Sequence, residues 1–359
     1  MEGAPSLRGS IDRGSLRETL REAFVQYGDR RCIGQRGGAA LGDPFYYLSF
    51  AEYGECCDLL GQALAFYGKR RNESSETLAG DSEVRDGDDD VMVGILVRNS
   101  AQAYMADMGC CLYNLVSIPL YATLGHESLQ YIIRHTNMRV IVADASLLPL
   151  VVEILSNVSS EPGSDPQPLS VTTVIVTDLA DPTLFRLKKP LSRSLILAPP
   201  RSSHVDSLIA VANISGIQSI TLEEALSFVV QRRNSLGSSA FPPTLTAQPT
   251  QLLTLMYTSG STGRPKGAMI TEECWRLRNR YVKGAVPRPP VVWLSFQPPA
   301  HLLDRNMVWA MMLHGAVIGC GSNNMQLLFD DFQVLRSDID QLSLSLSLSL
   351  IIPYLSWYP

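Results

Sequence analysis

The chain has 359 residues, of which 45% are apolar and 18% charged, with a net charge of -5. That composition excludes an intrinsically disordered chain and supplies enough apolar surface for one large or two ordinary domains at roughly 100–200 residues each. The acidic balance gives no reason to expect a nucleic-acid partner, so an anionic ligand would be met by local backbone dipoles and a few cations.

The seven cysteines, Cys32, Cys56, Cys57, Cys110, Cys111, Cys274 and Cys320, contain no C-x-x-C spacing, and the expectation is small apolar side chains in a reducing compartment, with no metal site. Met1–Arg17 has no apolar run of the secretory type, and no run of about 20 apolar residues suggests a transmembrane helix. The expected location is cytoplasmic, or peripheral on an intracellular membrane; peripheral attachment stays open.

In chain order, residues 14–30 predict an amphipathic helix with Leu16, Leu20, Phe24 and Val25 inward. Ser49 and Glu52 form a capping-box pattern for a helix running toward Phe66. Residues 69–90 are polar and read as a solvated insertion. Val91–Val97 is a continuous apolar run, the pattern of a buried parallel strand. Asn99 or Ser100 caps the next helix, through Tyr113.

Val116–Leu120, Val140–Ala143 and Val171–Val176 predict further strands. Helices are predicted over His126–His135, with Leu129, Ile132 and Ile133 inward, and over Ala145–Leu155. Alternating strands and helices imply an α/β fold with parallel-rich sheets flanked by helices. Residues 156–168 and 232–250 read as surface loops. Leu342–Leu350 alternates Leu and Ser; it reads as a low-complexity tail over 337–359, foreign to the enzyme and produced by read-through from a wrong frame or an intron.

Gln251–Tyr257 predicts a strand leading into Thr258-Ser259-Gly260-Ser261-Thr262-Gly263-Arg264-Pro265-Lys266-Gly267. Glycines let the backbone approach a ligand, and consecutive amides form an anion nest. The hydroxyls can donate to phosphate oxygens, and Lys266 can supply a point charge. The Walker A pattern fails, because Lys266 follows Pro265 and no Ser or Thr follows it. On composition alone, a plain Gly/Ser/Thr turn between strands would also fit.

The order of these residues closely resembles the phosphate-binding motif of the adenylate-forming (AMP-binding) superfamily. Val93–Ser100, Val116–Gly125, Tyr131-Ile132-Ile133-Arg134-His135, Gly34-Gln35-Arg36 and Tyr47-Leu48-Ser49-Phe50 resemble its long-chain fatty acyl-CoA synthetase branch. Ser295–Arg305 resembles a later element of that branch, in which the histidine lies near the acyl carboxylate; Gln297 and Pro299 depart from the leucines usual there.

The resemblance implies the N-terminal large-domain portion of the adenylate-forming fold over residues 1–336, incomplete at the C-terminus. It implies ATP phosphate contacts from Thr258, Ser259, Gly260, Ser261, Thr262, Gly263 and Lys266, and a substrate-side role for His301. His126, His135, His204 and His314 are given no role. The expected substrates are a fatty acid, ATP and coenzyme A, with Mg²⁺ accompanying the nucleotide. The catalytic lysine belongs to a family segment not found here, so the catalytic residue is unassigned and the chain is expected to be inactive. The alternatives are a non-catalytic nucleotide- or acyl-binding relative, or an adenylating enzyme for another carboxylic acid.

Overall fold

Ser15 opens the first helix, α1 (Leu16–Tyr27), with a capping box completed by Glu18. Leu16, Leu20, Ala23 and Phe24 are buried along it. Val25, expected inward, is 83% exposed. A further 100° of helical rotation past Phe24 carries it off the buried stripe.

The computed structural model describes residues 14–37, 40–69, 90–156, 169–179, 183–186, 203–214, 217–237, 241, 247–258, 264–283 and 291–337. The expected insertion near 69–90 and the tail over 337–359 lie outside these, apart from Lys69, Asp90 and Ser337. Among the described residues eleven strands follow one another as β1 (Arg31–Arg36), β2 (Phe45–Ser49), β3 (Met92–Leu96), β4 (Val116–Pro119), β5 (Val140–Asp144), β6 (Thr173–Thr177), β7 (Gln218–Thr221), β8 (Leu252–Thr258), β9 (Lys266–Thr271), β10 (Val292–Ser295) and β11 (Val317–Cys320). The remaining helices are α2 (Phe50–Lys69), α3 (Ala101–Leu112), α4 (His126–Thr136), α5 (Leu148–Ser156), the short α6 (Thr183–Arg186), α7 (Ser203–Ile214), α8 (Leu222–Leu236), α9 (Glu272–Lys283), α10 (Leu302–Leu313) and α11 (Leu328–Ser337).

The larger sheet has seven strands in the order β7-β6-β5-β3-β4-β8-β9, parallel except for the antiparallel edge strand β9. From β3 the chain moves one way to β4, then crosses to β5 and onward to β7, before β8 returns beside β4. Reversals of this kind leave a crevice at the carboxyl ends of the strands. The smaller sheet is β10-β11-β1-β2, with β2 antiparallel.

Helices cover both faces of the larger sheet. Leu129, Ile132 and Ile133 of α4, Val151 of α5 and Ile209 of α7 pack with Ile118 and Ile141 on one face. Val93, Ile95 and Val142 face the other way, into a core shared with α2, α3, α8, α10 and the smaller sheet. All seven cysteines are free, and six are buried within this packing; Cys274 is exposed.

The capping expected at Ser49 is present: Glu52 N–H donates to Ser49 Oγ, and Ser49 N–H donates to Glu52 Oε2 at 2.8 Å. Ser100, rather than Asn99, caps α3. Residues 232–236, read as the start of a loop, complete α8 instead. Their polarity is that of a helix's outer side, and Arg233 reaches back to Asp58 and Gln62 on α2. The turn out of α8 falls at Gly237, where φ is +64°.

Candidate functional site

β4 and β8 lie side by side, registered through Ser117 and Thr254. Both run toward the same end of the sheet. There β8 gives way to the antiparallel β9, with Thr258 opposite Lys266 and Tyr257 opposite Gly267. β8 and β9 are thus the paired arms of a hairpin at the carboxyl end of a parallel strand. Pro265 cannot donate to a ladder, and β9 begins directly after it.

Of the expected phosphate contacts, Thr258 and Lys266 are both exposed at the hairpin's base. Ser259, Gly260, Ser261, Thr262 and Gly263 lie outside the described residues. Two exposed groups flanking a Gly/Ser/Thr turn can present hydroxyl and ammonium donors to an anion.

His301 caps α10 through its backbone. Its carbonyl accepts from the Arg305 amide at 3.2 Å, and its own amide donates to Pro298 O at 2.8 Å. Its ring meets Tyr121 edge-on, centroids 5.5 Å apart, and Tyr121 follows β4. The imidazole keeps solvent contact, yet the surrounding protein lowers its pKa. A neutral imidazole can offer one N–H donor to a carboxylate but no charge.

Behind His301 stand two buried polar clusters. Asp304 accepts from Ser295 Oγ at 2.7 Å, Trp293 Nε1 at 3.1 Å and the Gln297 amide at 3.2 Å. These bonds close the segment 295–304 around one carboxyl. They hold Gln297 and Pro299 in a tight turn where leucines were the expected residues. Burial pushes the Asp304 pKa up to about 6, against the opposing pull of its hydrogen bonds.

Arg305 points the other way. It forms a bidentate pair with Asp107 of α3, through Nε to Oδ2 at 2.8 Å and through Nη2 to Oδ1. It also donates to Thr254 Oγ1 at 3.0 Å and Ser117 Oγ at 2.8 Å. Thr254 Oγ1 in turn donates to Ser117 O at 2.6 Å. The guanidinium thus pins the two registered residues of the β4–β8 seam, and Trp275 closes over it at 4.9 Å.

Sequence reasoning gave His135 no role, but α4 places it at the hairpin base. His135 Nδ1 and Tyr257 Oη are 2.6 Å apart. The available signal was the i, i+4 spacing of Tyr131 and His135, which sets both on one helix face. His126 approaches Glu153 at 3.3 Å, and His314 Nδ1 lies 2.7 Å from the Ala310 carbonyl. The His204 side chain lies outside the described residues. Among the described residues, no three His, Cys, Asp or Glu side chains gather as a metal cage.

Parallel-rich sheets flanked by helices are the architecture of the adenylate-forming fold. Among the solved structures similar to the chain are the adenylation domain of a carboxylate reductase from Mycobacterium chelonae and the A domain of a carboxylic acid reductase from Segniliparus rugosus in complex with AMP and a co-purified carboxylic acid. The first has TM-score 0.64 at 21% identity over 92% of this chain and 46% of that one. The second has TM-score 0.65 at 18% identity over 91% and 49%.

The chain belongs to the AMP-binding enzyme family, whose model matches residues 22–343. It is similar to long-chain-fatty-acid–CoA ligase 1 of Cavia porcellus, at 25% identity over 86% of this chain and 36% of that protein. It is similar also to long-chain-fatty-acid–CoA ligase 5 of Rattus norvegicus, at 23% identity over 91% and 40%. The chain thus spans about two fifths of the length of these relatives. Among the described residues, no helix is long and apolar enough to cross a membrane.

Proposed function

We propose that this chain carries the triphosphate-binding part of a long-chain fatty acid–CoA ligase. In that reaction a carboxylate oxygen attacks the α-phosphorus of ATP, the bond to pyrophosphate breaks, and an acyl-adenylate forms. The coenzyme A thiol then attacks the acyl carbon, losing its proton, and AMP leaves.

The single observation that supports the reading most is the hairpin. Ser259, Ser261 and Thr262, with Gly260 and Gly263, stand between β8 and β9 in the sequence, and Thr258 and Lys266 pair at the facing ends of the two strands. Bringing a carboxylate to a polyphosphate joins two anions, so the first demand on the site is donors fixed before the substrates arrive. Thr258, Ser259, Gly260, Ser261, Thr262 and Gly263 fit that demand, with Lys266 as the cation beside them. His301, neutral and partly solvent-facing beside Tyr121, suits a donor to the acyl carboxylate. The similarity to long-chain-fatty-acid ligases supports a fatty acid over other acids, and coenzyme A as the acceptor.

Calorimetric titration of the chain with ATP tests the reading. Binding is expected, and Gly260→Val with Lys266→Ala should weaken it at least about tenfold, the loss of one to two charge-assisted hydrogen bonds. Unchanged affinity in the double variant would overturn it. ATP–pyrophosphate exchange with palmitate, set against benzoate and amino acids, then reads the acid; exchange with benzoate alone would exclude the fatty-acid assignment.

A further inference from the structure

The hairpin that carries the Gly/Ser/Thr turn has an exposed outer arm. Among the described residues β9 is the edge of its sheet, and Lys266–Met269 are exposed on both faces. A ladder to one neighbour leaves such an arm free to twist away, and the turn would follow it. Ile270 packs against the main core at the far end of the arm, which leaves the Arg264 end to be held by something else.

Helix α4 supplies that contact. Tyr131 and His135 stand one turn apart and stack ring on ring, centroids 5.4 Å apart and planes 11° from parallel. His135 reaches the inner arm through the 2.6 Å hydrogen bond to Tyr257 Oη, and the two rings meet edge to face. Tyr131 reaches the outer arm: the Arg264 guanidinium lies over its ring at 5.7 Å. The far side of Tyr257 is closed by β9 itself. A Cβ at Gly267 would sit 3.0 Å from the Tyr257 ring, so glycine keeps that contact uncrowded. Burial, with Tyr131 adding to it, lifts the Tyr257 pKa to about 12, so the phenol stays protonated.

We propose that Tyr131 and His135 are positioning residues that brace the end of β8, through Tyr257, and the approach to β9, through Arg264, against α4 beside the segment read as the polyphosphate site. The proposal rests on the nucleotide reading of the turn. It assigns no chemistry to His135; the imidazole acts through Tyr257.

The test uses the full chain with Tyr257→Phe, His135→Leu and the double variant. ATP and AMP affinities are measured by calorimetry, and amide hydrogen exchange is followed across 252–258 and 264–271. Each single variant should weaken ATP about tenfold, equivalent to one buried hydrogen bond. The double variant should be no worse than either single, since both remove the same bond. AMP, which lacks the β- and γ-phosphates, should bind as before, and exchange should rise in the two arms alone.

Additive losses, equal losses for AMP, or exchange unchanged in the arms would each overturn the brace. If the parent chain binds no ATP, the nucleotide reading fails. The exchange measurement then still decides whether α4 holds the hairpin.

Discussion

Asp304 and Arg305 are adjacent in the chain and opposite in circumstance. Arg305 is 1% exposed and fully answered by Asp107, Thr254 and Ser117. A buried pair of that kind adds little net stability but makes the loss of one partner costly, typically about 3–5 kcal/mol. Asp304 has hydrogen-bond donors around it but no cation among its hydrogen-bond partners, and burial leaves its pKa at about 6. The folded value is raised above the unfolded one. Its stabilising contribution is therefore complete below the ordinary aspartate range near 4, and it is lost as pH rises through about 6. The stability of the parent relative to Asp304→Asn should fall between pH 4 and pH 7 in urea unfolding. A difference constant across that range would mean the carboxyl is not titrating there.

Helices α2 and α3 cross where Gly61 meets Gly109. A Cβ on Gly61 would sit 2.6 Å from the Gly109 carbonyl oxygen and 2.4 Å from the Tyr113 ring. On an exposed helix, Gly→Ala gains about 0.5–1 kcal/mol. Here Gly61→Ala should lose about 1–3 kcal/mol, because the helices must part. The sign of the change in the urea midpoint decides. The elements that pack locally were legible in the sequence: Ser49 with Glu52, Ser100 before α3, and the apolar runs of β3 and β5. The smaller sheet was not. β1 finds its parallel neighbour at Ile318, and no local periodicity announces that pairing. β9 was equally hidden, since an edge strand exposed on both faces has no alternation to read. The Gly/Ser/Thr turn and His301 were visible as residue types in order. His135 was not, because its role lies in where α4 sets it beside Tyr257.

At the scale of the molecule, the outer edge of β9 is unpaired among the described residues, with Met269 72% exposed on it. Unpaired edges bearing apolar side chains template association between copies. The chain is expected to be poorly soluble, and Met269→Lys should raise the monomer fraction in size-exclusion chromatography. A monomeric parent with a sharp cooperative melt would contradict that. The smaller sheet has a different consequence, one that concerns synthesis. Its second strand in spatial order, β11, joins β10 to β1, and the sulfurs of Cys32 and Met312, 280 residues apart, lie 3.4 Å from each other. At roughly 5–20 residues per second, β1 leaves the ribosome some 15 s to a minute before β11 exists. Through that interval one side of β1 has no partner, so this stretch is where a nascent chain would need a chaperone's cover.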